Sequence, residues 1–415
     1  YNDVTRLILK ALLEGRYVGT KVNCRISSRH PREYFCTLAE IQTANLPSIV
    51  LQNDDVIIEA RVKLGQARED ARLYVSGGCH EVVLAGTEVN TRADTWVSLP
   101  ALLLKTLEGN GHFDGYPALY DAFLHEAAAY YVKIVRLKNE GEKHWCEFDP
   151  LPLYSATIEG CLESGRDVTE GGAKYSSTAI SLVGAATLVD SLFSLKRLVF
   201  DEKRLTLGEF RRILAEDFAN HEDLRQYIVR RIPKYGSNDA EVNRFAGQIL
   251  ADIAKLAGQT NARGGKYLPA FYPHDIFRPL GQKLGATPDG RKAHMPLSRG
   301  ASPSEFVEIR NPADILRSLG AVDFTDYADS FCAELTLPQM SGERGIQVLT
   351  ALIELFLEQK GSSLQFNLLN RERLLEAQRN PAEHADIIVR VCGYSAAFVF
   401  LSRETQEEII ARAIR

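Results

Sequence analysis

Short apolar runs and amphipathic helical patterns alternate along almost the whole chain, and this alternation limits the fold more than any other feature. Near the C-terminus, 364–369 is predicted to be a strand, 371–378 a helix, and 387–391 a β-branched strand that stops at Gly393. Such alternation is typical of α/β proteins, in which helices cover a largely parallel sheet. No internal repeat, low-complexity segment or clear linker interrupts it. We therefore predict one α/β domain.

Three regions carry more specific expectations. Residues 98–140 and 178–260 are predicted to be mostly helical from their periodicity. The most apolar stretch, 179–195, contains Asp190 and several Ser and Thr, so it is predicted to be a buried helix and not a membrane span. Residues 261–303 contain several turn signals and are predicted to form a long, ordered and packed loop.

The composition excludes several classes of function. The chain has 415 residues and a net charge of -5, and no long Lys/Arg stripe is visible that would neutralise nucleic-acid phosphates. The seven cysteines form no CxxC pair and the nine histidines no HxxxH cluster, so we expect no metal site and a reducing cytoplasm as the location. The chain opens at Tyr1 inside an amphipathic pattern, which we interpret as the sign of a fragment.

A glycine-centred motif lies close to the C-terminus. Residues 390–395 read RVCGYS, and Ser402 is predicted to cap the final helix. Further positions of the motif are Phe398, Leu401, Gln406, Ile409, Ile410 and Arg412. Taken alone, a glycine between a strand and a helix is a turn residue.

A second motif, GCHE, occupies residues 78–81 after a predicted strand at 73–76. Two consecutive glycines allow a sharp turn, so we expect Cys79 at the tip of a loop. Residues at i and i+2 of an extended loop point the same way, so Cys79 and Glu81 are expected to face one substrate. Taken alone, the pattern is more typical of a structural cysteine near an exposed glutamate.

Together, the two motifs closely resemble those of the glycyl radical enzymes, the pyruvate formate-lyase-like family. The C-terminal signature of that family is RVxGY followed by an aromatic residue, a leucine and a QxxII helix, and its active-site loop is GCxE. Further segments resemble family motifs in the same order: 169–175 (TEGGAKY), 233–236 (PKYG), 263–265 (RGG), 285–291 (GATPDGR) and 365–367 (QFN). The resemblance covers nearly the whole chain.

The resemblance implies a ten-stranded α/β barrel made of two five-stranded halves, with the cysteine and glycine loops at its centre. Family members are roughly twice as long as this chain, so the chain is expected to be the C-terminal half. Residues 1–290 are expected to form the second half of the barrel with the cysteine loop. Residues 291–415 are expected to form a glycyl radical domain continuous with it.

By the same resemblance, Gly393 stores a glycyl radical, Cys79 becomes the thiyl radical that attacks the substrate, and Glu81 acts as a base or acid. A radical on a glycine α-carbon is planar and delocalised, and only glycine lacks the Cβ that would oppose this geometry. The implied partners are a radical S-adenosylmethionine activating enzyme with an iron–sulfur cluster, a small-molecule substrate and a second copy of the chain. The implied location is the cytoplasm, with a bacterial microcompartment as an option.

Departures from the family patterns narrow the reaction. Cys79 is followed by His80 and not by a second cysteine, which argues against acyl transfer from pyruvate, and Glu81 argues against addition to fumarate. What remains is elimination of water or another leaving group from a small diol, polyol or amino alcohol, as in the glycerol and choline enzymes, or decarboxylation of an arylacetate. An inactive fragment, or a formate acetyltransferase-like protein of unassigned substrate, is a third interpretation.

The roles of three further residues stay open. Glycerol- and choline-type eliminases place an aspartate about fourteen residues after the cysteine; here Ala93 holds that position, with Asp94 next to it. Asp94 is either a substrate-binding residue displaced by one position or a solvated turn residue. His80 is either a packed loop histidine or a second proton carrier at the substrate. Cys392 is interpreted as a small packing residue.

Overall fold

The computed structural model describes residues 1–15, 21–109, 113–307 and 311–413, with the backbone alone at positions 94 and 95. Its strands are β1 (Val22–Ile26), β2 (Ile49–Asn53), β3 (Tyr74–Gly77), β4 (Glu81–Leu84), β5 (Glu88–Ser98), β6 (Tyr175–Val183), β7 (Lys266–Phe271), β8 (Ser330–Pro338), β9 (Ser363–Leu369), β10 (Ile388–Arg390) and β11 (Ser395–Ala397).

Seven of these strands form one sheet in the order β1-β2-β9-β8-β7-β6-β5. The five strands from β5 to β9 run parallel to one another. β2 pairs antiparallel with β9, and β1 runs parallel to β2. Every residue of β2 and β9 is buried, as expected for strands covered on both faces. Five parallel strands are consistent with one half of the barrel predicted from the motifs.

The helices that flank the sheet follow in chain order. They are α1 (Asp3–Gly15), α2 (Arg32–Thr43), α3 (Asp54–Lys63), α4 (Arg68–Ala71), α5 (Leu99–Glu108), α6 (Tyr116–Glu142), α7 (Trp145–Phe148), α8 (Pro152–Ser155), α9 (Cys161–Ser164), α10 (Ala185–Leu195), α11 (Leu207–Ala215), α12 (Glu222–Arg231), α13 (Ala240–Lys255), α14 (Phe277–Gln282), α15 (Pro312–Leu319), α16 (Gly342–Glu358), α17 (Arg371–Arg379) and α18 (Arg403–Arg412).

The helices pack through apolar faces that their sequences dictate. α13 buries Val242, Ala246, Ile249, Leu250 and Ile253, a spacing that places all five on one side of a helix. α10 is different, because all of its residues are buried; it lies against both α5 and α13, while α2 packs against α16. α18 begins at the predicted cap, with the side chain of Ser402 accepting a hydrogen bond from the backbone of Thr405.

Two of the segment predictions were wrong. The buried helix predicted for 179–195 is the end of β6 followed by α10, with the break at Gly184, which has φ 88°. A strand buried on both faces shows no polar–apolar alternation, so its apolar run cannot be told from a buried helix. The predicted loop at 261–303 contains the sheet strand β7 and the helix α14.

The sheet extends across the domain boundary that we predicted at residue 290, since β7 lies before it and β8 after it. That boundary stays a prediction. No helix in the described part of the chain combines the length and apolar character that crossing a membrane requires.

Candidate active site

The GCHE motif forms the turn of a hairpin. β3 pairs antiparallel with β4, with Gly77 opposite Glu81, so Cys79 lies at the tip of the turn. The backbone is left-handed at Gly78 (φ 33°) and at His80 (φ 79°). The expectation of an extended loop was therefore wrong, because a tight turn and not the alternation of an extended chain places Cys79 near Glu81. A Cβ at Gly78 would lie 2.5 Å from Oε2 of Glu81, so a larger residue here would displace this carboxylate, and the left-handed φ also favours glycine.

The RVCGYS motif forms a second hairpin. β10 and β11 pair antiparallel with Arg390 opposite Ser395, and Gly393 lies in the turn. The φ of Gly393 is outside the left-handed region, so its backbone conformation does not require glycine. Space requires it: a Cβ on Gly393 would collide with Sγ of Cys79 and lie 3.0 Å from the carbonyl oxygen of Gly78. The two hairpin tips are thus in contact.

The QFN segment on β9 holds both hairpins. Oε1 of Gln365 accepts hydrogen bonds from Nε2 of His80 (3.1 Å) and from Nε of Arg390 (3.2 Å). Asn367 accepts from the backbone nitrogen of Arg390 (3.0 Å) and donates to its carbonyl oxygen (3.1 Å). Arg390 in turn donates from Nη2 to the carbonyl oxygen of Gly393 (3.0 Å). One strand of the sheet therefore sets the relative position of the two tips.

His80 is fully buried, and the sheet engages both of its ring nitrogens. Nδ1 accepts a hydrogen bond from the hydroxyl of Ser363 (2.9 Å), and Nε2 donates to Gln365. Burial, and then the charges of Lys21 and Arg390, lower the pKa of His80 well below its usual value, so the ring is neutral. No ring nitrogen remains for a substrate, which favours the packed loop histidine over the second proton carrier.

Lys21, which lies directly before β1, supports the cysteine hairpin. Its Nζ donates to the carbonyl oxygens of Gly77 (3.2 Å) and Gly78 (2.8 Å). The sequence pattern contained no signal for this role, because a single lysine ahead of a strand is an ordinary surface residue.

A chain of polar contacts joins Glu81 to Cys79. Oε1 of Glu81 lies 3.3 Å from Nη1 of Arg92, and the same Nη1 lies 3.1 Å from Nε2 of His274. Nδ1 of His274 lies 3.8 Å from Sγ of Cys79. Oε2 of Glu81 is buried and has no hydrogen-bond partner among the described residues. The sequence patterns singled out neither Arg92 nor His274. His274 lies in the segment 261–303, which was predicted to be a loop.

The thiol of Cys79 is a poor acid in this setting. A hydrogen bond with Cys392 and then burial raise the pKa of Cys79, and the negative charge of Glu81 adds to the rise. The hydrogen bond with Cys79 lowers the pKa of Cys392 to about 7. Cys79 therefore keeps its proton, which a donor of hydrogen atoms requires. Cys392, interpreted from the sequence as a packing residue, contacts the thiol at the site.

The aspartate expected after the cysteine falls in an irregular part of β5. The pairing with β6 shifts between Arg92, opposite Ala179, and Trp96, opposite Ser181, so the intervening residues form a bulge. Ala93 is buried. The side chain of Asp94 lies outside the described residues, and its substrate-binding role stays a prediction.

Buried charges anchor the glycine hairpin to the sheet. Glu334 on β8 is bonded by Arg299, by Arg412 of α18 and by Gln365. Arg299 also donates to the carbonyl oxygen of Val391 (2.9 Å). These charges compensate one another away from water, which a buried ion needs to be tolerated.

The TEGGAKY and RGG segments pack closely against each other and against the start of β6. A Cβ at Gly171 would collide with the backbone of Arg263, and a Cβ at Gly265 with the backbone of Ser176. The glycines therefore permit close approach of two backbones. Among the described residues, no group of three or more His, Cys, Asp or Glu side chains is placed to hold a metal ion.

Comparison with known proteins agrees with this geometry. The chain is 28% identical to trans-4-hydroxy-L-proline dehydratase of Clostridioides difficile over 99% of this chain and 54% of the relative. It is 29% identical to (2S)-3-sulfopropanediol dehydratase of Klebsiella oxytoca over 99% of this chain and 53% of the relative. The chain thus spans about half the length of these curated relatives.

The solved structure of glycerol dehydratase from Clostridium butyricum in its glycerol-bound form matches with a TM-score of 0.94 and 30% identity. The match covers 99% of this chain and 55% of that chain. The family model "Pyruvate formate lyase-like" matches residues 1–281, and the model "Glycine radical" matches 297–399, which include Gly393. These matches confirm the resemblance inferred from the motifs, and the chain belongs to the pyruvate formate lyase-like family.

Proposed function

We propose that this chain carries the radical-storing and hydrogen-abstracting part of an anaerobic lyase. The reaction is elimination of water or another leaving group from a small diol, polyol or amino alcohol. The observation that carries the proposal is the position of the Cys79 thiol where a Cβ of residue 393 would lie, with the buried Oε2 of Glu81, which has no hydrogen-bond partner among the described residues, on the same hairpin as Cys79.

The residues divide the reaction between them. Gly393 stores the unpaired electron, and Cys79 passes its hydrogen atom to Gly393, so that the S–H bond breaks as the C–H bond forms. The resulting thiyl takes a hydrogen atom from a substrate carbon, which weakens the neighbouring bonds of the substrate. Glu81 accepts a proton from the substrate hydroxyl while the leaving group departs. Cys79 then returns a hydrogen atom to the product, and Gly393 is oxidised again to its radical form.

Two features support elimination over the other reactions. Three polar groups, Glu81, Arg92 and His274, are connected to Cys79 by short contacts, and such groups suit the hydroxyl or amino groups of a small polar substrate. The relatives described above are named as dehydratases. A radical S-adenosylmethionine enzyme is the proposed partner that generates the radical, since Gly393 lies in a hairpin tip and is only half-buried in this chain.

The proposal is tested by anaerobic activation with such an enzyme, followed by electron paramagnetic resonance and product analysis. Glycerol, propane-1,2-diol and trans-4-hydroxy-L-proline are the substrates to compare. We expect a doublet signal in the wild type, no doublet in Gly393→Ala, and a doublet without turnover in Cys79→Ala. A doublet that persists in Gly393→Ala, or turnover that persists in Cys79→Ala, would contradict the assignment.

A further inference from the structure

His274 lies just after the end of β7, and its Nδ1 is 3.8 Å from Sγ of Cys79. It lies edge-on to the ring of Trp96, with ring centroids 4.7 Å apart, and to that of Tyr272 at 5.8 Å. These aromatic contacts fix the plane of the imidazole, so its two nitrogens have defined directions.

Arg92 determines which of the two nitrogens carries the proton. A guanidinium has only donors, so Nε2 of His274, 3.1 Å from Nη1 of Arg92, must present a lone pair. Burial and the charge of Arg92 lower the pKa of His274, and the ring is neutral. A neutral imidazole with an accepting Nε2 carries its proton on Nδ1. The Nδ1–H group therefore faces Sγ of Cys79 at 3.8 Å.

A thiol can accept one hydrogen bond on sulfur and donate its own hydrogen elsewhere. Because the side of the sulfur that faces His274 receives an N–H, the S–H bond of Cys79 has to point away from it. Two groups of the glycine hairpin meet the sulfur on its other sides: the thiol of Cys392, which shares a hydrogen bond with it, and Gly393, where any Cβ would overlap Sγ.

We propose that His274 is a positioning residue that donates its Nδ1 hydrogen to Cys79 and so turns the thiol hydrogen away from itself and towards the glycine hairpin, where Cys392 and Gly393 lie. The inference deepens the proposed function and rests on it. In the transfer, the S–H bond of Cys79 breaks and a C–H bond forms at the α-carbon of Gly393, with no change of charge. The N–H···S hydrogen bond persists through this step, so the sulfur does not move as its hydrogen leaves.

Three substitutions separate the hydrogen bond from simple packing. His274→Leu removes both nitrogens. His274→Asn places an amide N–H close to the position of Nδ1 and so retains a hydrogen-bond donor to Cys79. His274→Gln extends its amide towards Arg92 and leaves Cys79 without that donor. His144→Leu, at a histidine exposed on the surface and paired with Glu147, is the matched control.

The first measurement is the rate at which iodoacetamide alkylates Cys79 in the unactivated chain, followed by mass spectrometry of the Cys79 peptide. A donor to sulfur stabilises the thiolate, so we expect His274→Leu and His274→Gln to react roughly fivefold to tenfold more slowly than wild type. His274→Asn and His144→Leu should stay within about twofold of wild type. Equal rates in wild type and His274→Leu, or equal slowing in the Asn and Gln variants, would overturn the proposal.

The second measurement is turnover after activation, with the Gly393 radical signal as the internal reference. We expect kcat to fall in the Leu and Gln variants with the radical signal retained, and to recover in the Asn variant. Loss of turnover in the Asn variant to the level of the Leu variant would contradict the proposal. A wild-type chain that forms no radical would count against the proposed function, and the alkylation rates would still decide the role of His274.

Discussion

Replacing Gln365 with leucine removes the link between the two hairpins at little change in side-chain volume. Gln365 is 1% exposed. Its amide oxygen accepts from His80 and Arg390, and its amide nitrogen donates to Glu334. Gln365→Leu leaves all three partners buried and each short of one hydrogen bond.

The expected loss follows from these three groups. An unsatisfied buried polar group costs about 1–3 kcal/mol, and more when it is charged. The buried apolar surface of leucine stabilises the variant by about 1 kcal/mol. We therefore expect the free energy of unfolding to fall by about 4 kcal/mol. That is a large fraction of the usual stability of a folded protein, about 5–15 kcal/mol.

Chemical denaturation and amide hydrogen exchange measure the effect. We expect a lower denaturation midpoint and faster exchange in both hairpins, at residues 74–84 and 388–397, since both depend on one side chain. Gln248→Leu is the control, because Gln248 is exposed on α13 and its side chain bonds, among the described residues, to Asp252 alone. The change should lower the free energy of unfolding by less than about 0.5 kcal/mol. Equal stability losses in the two variants, or faster exchange in only one hairpin, would refute the bridging role.

Three further predictions concern the support of the site. Gly78→Ala places a Cβ against Glu81, so turnover should fall about 100-fold with the radical signal retained; Gly86→Ala, with φ 74° but open space around it, is the control and should keep its activity. Arg412→Leu leaves Glu334 with Arg299 and Gln365 as partners and should lower the free energy of unfolding by about 1–3 kcal/mol in urea denaturation, whereas a loss below about 0.5 kcal/mol would show that the Arg412 pair is not needed. Burial raises the pKa of Asp329 from 3.8 to about 6, so the native state holds its proton longer and stability should fall by up to about 3 kcal/mol as pH rises through that window. Asp329→Asn should flatten this part of the pH–stability curve. An unchanged slope in the variant would show that the raised pKa of Asp329 is not the cause of the pH dependence.

The resemblance of the two motifs to the family signatures located both hairpin tips in the sequence. Gly78, Cys79, Glu81 and Gly393 lie in short turns, where steric limits allow few residue types, so the local sequence carries the information. The structure changed the explanation at two of them. The i and i+2 argument for Cys79 and Glu81 assumed an extended loop, and the need for glycine at 393 comes from contact with Cys79 and not from φ.

The sequence by itself determined the α/β class, the capped final helix and the turns at the two glycine motifs, because periodicity, caps and turns are local properties. That the two turns meet was implied by the family resemblance and is seen in the structure. It did not determine β7 or the end of β6, since strands buried on both faces lose their alternation. Only the tertiary structure placed Gln365 between the hairpins, and Arg92 and His274 between Glu81 and Cys79. Those contacts join residues from separate strands, and no pattern within one strand encodes which side chains the folded sheet will bring together.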